Sequence, residues 1–470
     1  MLQKRPPIVV LLGHVDHGKT TLLDFLKKTK ITEKEYGGIT QKIQAFVIEV
    51  NNKKFTLIDT PGHELFFTLR KRGIEIADLA LLVIAADEGI QVQTKEVIDF
   101  LKETKLPFIV VLNKIDRPQA QPEKVKKELS EIGVILEEWG GDVPCYLISA
   151  KTGQGIDELL EGIFLLADIY DFKWDENHEF VGYVLETYKD LRQGNQVMII
   201  LKDGVLKVGD QIFTYSTYGK VKKIITTDGQ ELNKLLPSIP AIVFGFEDLP
   251  LAGEMISPRQ VEIKEKKFFK NVSFGDGQEY KFLIKGENYG SLEAILNVIE
   301  KLTKKINFKA TVIEASIGDL IKTDVDFIKT YHPILILFNT KIPNFLKPEL
   351  LGEPIEIIDV KTIYEIEQKL EDVLTKDLPD KREALLKILK IFSQKESKIT
   401  LGGQVQSGVF KLKDRVIIKD ELGNIIAGGT IISIEKDKVP CKEISDGLCG
   451  MVIQGSNLNK VKEGYELTLT

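Results

Sequence analysis

The sequence predicts a multidomain chain of mixed α/β and all-β parts, and three observations carry that reading. The first 172 residues alternate apolar runs of strand length with helix-like segments, the pattern of a doubly wound α/β domain. Two later stretches consist of short β-branched runs separated by glycine turns, which read as small barrels. Between them the alternation of strand and helix returns. At 470 residues there is room for three or four such domains, with 43% hydrophobic residues to fill their cores.

In the first domain the strand-like runs are Ile8 to Leu12, Phe55 to Ile58, Leu79 to Ala85, Phe108 to Leu112 and Tyr146 to Ile148. The helix-like ones are Thr21 to Lys28, Thr94 to Glu103, Pro122 to Glu131 and Ile156 to Tyr170. The charged stretch Lys173 to His178 breaks the pattern and suits a linker. A barrel is expected over 179–259 and a compact α/β unit over 277–361, with the charged run Arg259 to Lys270 as helix or tether between them. Residues 362–379 carry Ile363, Ile366, Leu370, Val373 and Leu374 on one helical face, a connecting helix that could be a rod or a packing element. A second barrel is expected over 380–470, with Ala384 to Phe392 ambiguous between helix and strand.

The chemistry is concentrated where the first domain's strands end. Gly13-His14-Val15-Asp16-His17-Gly18-Lys19-Thr20, followed by Thr21, fits GxxxxGK[ST] between a strand and a helix. Glycines there allow the backbone to turn its N–H groups onto phosphate, Lys19 can bridge β and γ oxygens, and the Thr20 hydroxyl suits Mg²⁺. After Phe55 to Ile58 comes Asp59-Thr60-Pro61-Gly62-His63, where Asp59 can hold the Mg²⁺ shell through water and Gly62 can offer a backbone N–H to a γ-phosphate. After Phe108 to Leu112 comes Asn113-Lys114-Ile115-Asp116. The Asp116 carboxylate can accept from the N1 and N2 hydrogens of guanine, a pair adenine does not offer. A site built on such bonds rejects the wrong ligand by roughly 10⁴-fold or more, which favours GTP over ATP. Ser149-Ala150-Lys151 could support the base through a backbone N–H and the lysine stem.

Composition removes other classes. No segment reaches the roughly 18 uncharged apolar residues of a membrane span, and Met1 to Pro7 is too short and polar for a signal peptide, so a cytoplasmic address is expected. Cys145, Cys441 and Cys449 have neither metal spacing nor an even count, and idle thiols are expected. Three of the five histidines, His14, His17 and His63, fall inside the phosphate motifs, so no transition-metal site is predicted. The net charge of −6 argues against wholesale coating of nucleic acid. From Asp380 onward there are 15 Lys and Arg against 12 Asp and Glu, a small excess that a solvated surface accounts for.

Taken with these motifs, the chain resembles bacterial translation initiation factor two over nearly its whole length. Gly37-Gly38-Ile39-Thr40-Gln41, the close follow-on in sequence to Phe55 without a long insertion, and Glu137-Glu138-Trp139-Gly140-Gly141 are similar to the bacterial branch. Lys285 to Ser291 and Thr323-Asp324 resemble the family's α/β unit, and the last barrel resembles the one that holds the formylated methionyl end of initiator tRNA. The resemblance implies a GTPase that places initiator tRNA on the small ribosomal subunit and promotes joining of the large one; one copy acting alone is the simplest expectation. Thr40 is then the switch threonine at γ-phosphate and Mg²⁺, and His63, flanked by Val15 and Ile39, orders the attacking water on the ribosome. Lys19, Thr40 and His63 are the catalytic set.

Three departures stand out. The family usually carries a long variable amino-terminal region, its charged insert after the first barrel is longer, and Gly403 replaces a cysteine common in the tRNA-end pocket. Two alternatives stay open: an elongator-type or selenocysteine-specific tRNA GTPase, which the α/β unit between barrels disfavours, and a GTP-gated scaffold for ribosome assembly. A small-molecule nucleotide kinase is disfavoured too, since nothing after residue 172 resembles an acceptor-substrate lid.

Overall fold

A computed structural model describes residues 2–27, 43–61, 67–190, 193–260, 270–350, 355–376, 384–420, 423–436 and 439–469. They form two compact units, Met1–Leu370 and Glu371–Thr470.

The first unit opens with a six-stranded sheet: β1 Ile8–Leu12, β2 Gln44–Val50, β3 Lys53–Asp59, β4 Leu79–Ala85, β5 Phe108–Asn113 and β6 Cys145–Leu147, in the spatial order β2-β3-β1-β4-β5-β6. Only the β2–β3 pair is antiparallel. Every residue of β1 and β4 is buried, so both run as unbroken apolar stretches, as central parallel strands covered on two faces must. The helices are α1 Lys19–Lys27, α2 Phe67–Ile76, α3 Val92–Thr104, α4 Pro122–Glu131 and α5 Ile156–Tyr170. The motif loops lie at the carboxyl ends of β1, β3 and β5 and just beyond β6, the edge where open α/β sheets take ligands.

The stretch expected to be a linker is partly structured. Lys173–Trp174 pairs antiparallel with Gln3–Lys4, Arg5 N–H donates to the Phe172 carbonyl at 2.9 Å, and Trp174 is buried. Local charge hid a strand whose partner lies some 170 positions away.

Beyond it, Val181–Asp190, Gly194–Asp203, Gln211–Phe213, Tyr218–Thr226, Ala241–Phe246 and Met255–Ile256 form an antiparallel sheet. Mutual Phe213–Ser257 backbone hydrogen bonds close it into a barrel around Val184, Val197, Ile199, Leu201, Val221 and Val243. The next sheet has five strands in the order Lys270–Phe274, Phe308–Ile317, Gln278–Gly286, Ile334–Phe338, Ile357–Val360. Its helices are α6 Tyr289–Ile306 and α7 Lys322–Tyr331. It therefore takes in a strand ahead of residue 277, because Lys270–Phe274 adds antiparallel to the edge; 261–269, most of the expected helix or tether, lie outside the described residues. Helix α8, Ile363–Lys376, buries Ile363, Ile366 and Leu370, and Lys301 of α6 reaches Glu367 at 3.2 Å, so its first half is a packing element.

In the second unit Leu385–Lys395 is a strand, which settles the ambiguous segment. Its residues alternate inward and outward from Leu385 to Leu389, with Leu386 and Ile388 in the core. The ring Arg415–Lys419, Glu466–Leu469, Leu385–Lys395, Lys398–Ser407, Gly447–Ser456, Ile425–Lys436 closes on itself through pairing of its first and last members.

Candidate nucleotide site

Gly13 sits at φ +142° and Gly18 at +87°. A Cβ on Gly13 would lie 2.2 Å from the Val83 carbonyl oxygen, and one on Gly18 2.3 Å from Asn113 Nδ2, so neither tolerates a side chain. Asp16 also adopts a left-handed conformation, φ +64°, within the same turn. His14 and Val15 are half-buried and Thr21 is exposed.

Lys19 opens α1 and is buried, with Nζ donating to the carbonyls of Gly13 at 3.0 Å and His14 at 2.7 Å. Burial pulls its pKa down to about 8, against the opposing field of Asp59. Asp59 ends β3 fully buried, and its Oδ2 accepts from the Thr20 hydroxyl at 3.5 Å. Two hard oxygen donors thus converge beside an ammonium group, the donor chemistry Mg²⁺ takes. Thr60 is pinned by its hydroxyl to the Leu11 carbonyl at 2.7 Å, and Arg70 donates to the Pro61 carbonyl at 3.2 Å. Gly62, His63 and Gly37 to Gln41, with Ile39 and Thr40, lie outside the described residues.

Asn113 joins the loops. Its Nδ2 donates to the His17 carbonyl at 2.9 Å, and its Oδ1 accepts the Ala150 N–H at 2.9 Å. One buried side chain therefore sets the spacing between the phosphate loop and the Ser149-Ala150-Lys151 loop. Asp116 is exposed, and a hydrogen bond from Ser149 foremost holds its carboxyl below the usual range. Lys151 is exposed beside it. Lys114 takes a left-handed backbone, φ +63°, a conformation that persists in a side-chain-bearing residue only where its surroundings fix it.

Sequence reasoning passed over His17 as a structural group and the residues Asp87, Glu88 and Arg72. His17 is fully buried, its Nδ1 3.3 Å from the Val83 carbonyl, and burial drives its pKa down to about 3. The cysteines are free thiols. Cys449 stands directly across the strand pair from Gly403 and, with Leu389, Lys390, Phe392, Gly402 and Leu448, lines a cavity of about 370 Å³. Nothing in the sequence put a neighbouring strand's cysteine opposite that glycine; the register did.

The family model described as Elongation factor Tu GTP binding domain matches residues 4–168, Elongation factor G domain 2 matches 179–258, and Translation-initiation factor 2 matches 257–371. The chain is 34% identical to translation initiation factor IF-2 of Halothermothrix orenii over 99% of its own length and 72% of that relative's. The chain belongs to the translation initiation factor IF-2 family. To the IF-2 of Aquifex aeolicus it is 38% identical over 99% of its length, and it spans 61% of that relative. Among solved structures it is similar to GDP-bound aIF5B from Aeropyrum pernix, at 25% identity and a TM-score of 0.51, covering 99% of this chain and 92% of that one. The family thus unites the motif-bearing α/β domain, the two barrels and the α/β unit between them. Among the described residues no helix is long and apolar enough to cross a membrane, and no group of His, Cys, Asp and Glu has the arrangement of a metal cluster.

Proposed function

We propose that this chain is a GTPase that helps place formylated initiator tRNA on the small ribosomal subunit and promotes joining of the large subunit, hydrolysing GTP on the assembled ribosome. The observation that carries the nucleotide reading is the double hydrogen bond of Asn113, which holds the phosphate loop and the base loop at one sheet edge. Membership of the IF-2 family carries the rest. The working place is the cytoplasm, and one copy suffices.

Gly13 to Thr21 cradle the phosphates, and Lys19 exchanges loop carbonyls for β and γ oxygens. Thr20, Thr40 and, through water, Asp59 would hold Mg²⁺, which when bound neutralises charge on the phosphates. Gly62 offers its N–H to the γ-phosphate, and His63 orients the attacking water. Asp116 reads the guanine edge, with Lys114, Ser149, Ala150 and Lys151 around the base. In the last barrel the cavity beside Gly403 takes the formyl-methionyl end, with the Cys449 thiol supplied from the adjacent strand.

GTP hydrolysis measured with neither, each and both ribosomal subunits tests the reading. Strong stimulation by both together is expected; a rate equal to that of the free chain would overturn it in favour of a scaffold. His63→Ala is expected to bind GTP normally and lose the stimulation.

A further inference from the structure

Resting on the nucleotide reading above, we infer that the acid pair Asp87–Glu88, in the loop after β4, is a positioning device that fixes guanine selectivity by bracketing Asp116. The two basic residues that flank Asp116 in the sequence, Lys114 and Arg117, are each tied to one member of the pair. Lys114 Nζ donates to Glu88 Oε1 at 2.8 Å, and Arg117 Nη1 donates to Asp87 Oδ2 at 2.5 Å. Lys114 Nζ also stands 4.0 Å from Asp87 Oδ1, so the two tethers share one field. The carboxylate that must meet the N1 and N2 hydrogens of a base is exposed and thus lacks the packing that usually fixes a side chain. Ser149 holds it by one hydrogen bond, and the rest of its placement falls to the backbone on either side, which the tethers hold.

The pair is itself anchored. The Glu88 and Gly89 N–H groups donate to the Ala85 carbonyl at 3.2 and 2.9 Å, and the Ala86 N–H donates to the Asn113 carbonyl at 2.8 Å. Asp87 is nearly buried on the loop side, whereas Arg117 reaches it from solvent.

Glu88 also faces the phosphate loop, its Oε2 3.7 Å from His17 Nε2. A carbonyl can only accept, so the His17 Nδ1 contact with the Val83 oxygen requires the proton on Nδ1. In the neutral ring Nε2 then presents a lone pair toward the carboxylate, and it has no hydrogen-bond partner among the described residues. Two acceptors facing each other repel, and the Lys114 ammonium is the cation that offsets them. Glu88 is therefore held toward Lys114 by attraction and away from His17 by repulsion, which defines its position from two sides.

The test compares GDP with IDP, whose hypoxanthine base lacks the 2-amino group and makes one of the two bonds to Asp116. Calorimetric binding would be measured for the wild-type chain, the double variant Asp87→Asn/Glu88→Gln, Glu88→Asp and the single variant Arg117→Gln. In the double variant the GDP Kd is expected to rise about tenfold, the effect of one charge-assisted hydrogen bond, with a smaller rise for IDP, so that selectivity falls. Glu88→Asp, which keeps the charge, is expected to recover most of it. Equal weakening of both nucleotides, or unchanged binding of both, overturns the inference while leaving the nucleotide reading in place. Failure of the wild-type chain to bind GDP overturns both. Arg117→Gln cuts one tether from an exposed side chain; should the double variant not fold, the same GDP-to-IDP ratio in this variant decides the matter.

Discussion

A single buried histidine gives the phosphate loop a pH dependence. His17 is driven to a pKa of about 3 by burial, below the 6.5 of the unfolded chain. Between those values the unfolded state binds the proton and the folded state does not. Stability is therefore complete above pH 6.5 and is lost as pH falls, by at most about 1.4 kcal/mol per pH unit. Urea midpoints at pH 7, 6 and 5 are expected to fall more steeply for the wild type than for His17→Asn; identical slopes would assign the loss elsewhere. Asn113→Ala is expected to weaken GTP binding by about tenfold or more, since it removes two buried hydrogen bonds, each worth about 1 kcal/mol, and leaves the Ala150 N–H without its acceptor. Competition binding measures it, and an unchanged Kd would refute it. Asp116→Asn is expected to exchange guanine for xanthine preference, read in the same assay. Asn113 and Asp116 were legible in sequence because each loop has a fixed spacing of functional groups. His17 was legible as a member of the phosphate loop but not as a buried ring, and Glu88 not at all, because burial and a partner on another loop leave no local mark.

At the scale of elements, helix α2 is held at its far end and along its side. Just beyond it, Asp78 is buried and accepts from Arg5 Nη2 at 2.8 Å, Lys202 Nζ at 2.6 Å and the Ile8 N–H at 2.8 Å. Arg5 and Lys202 hold its carboxyl below the usual range even though burial opposes them. Lys202 belongs to the first barrel, so one aspartate ties barrel to sheet. Along the helix, Arg72 donates to both Glu293 oxygens of α6 at 2.6 Å and lies over the Tyr289 ring at 5.2 Å. Beside them Glu186 of the barrel is fully buried, with its pKa raised by burial to about 7. Removing one partner from such a group strands buried charge, which costs roughly 3–5 kcal/mol. Asp78→Ala is expected to lose that much stability in chemical denaturation; a loss under about 1 kcal/mol would show that Arg5 and Lys202 reach water without it. Periodicity located α2's neighbours but not these ties, which join residues as far apart as Arg72 and Glu293.

Across the whole molecule, the first unit encloses a sheet, a barrel and an α/β layer that share buried ion pairs, whereas the last barrel has a core of its own around Leu386, Ile399, Ile418, Ile431 and Met451. Calorimetry is expected to show two transitions, with Asp78→Ala lowering one and leaving the other in place; a single transition displaced as a whole would contradict separate cores. Sequence by itself determined the elements of the phosphate and base loops, the alternation of layers and the two β-rich segments. Those depend on local properties: glycine dihedrals, the period of apolar residues and the order of functional groups along a few positions. Only the tertiary structure decided that Lys173–Trp174 is a strand, that Leu385–Lys395 is not a helix, that Cys449 faces Gly403 and that Asp87 and Glu88 flank the base-reading loop. Each of these depends on a partner brought close by folding, and the energy of a hydrogen bond or a strand pairing carries no trace in the sequence of which distant residue completes it.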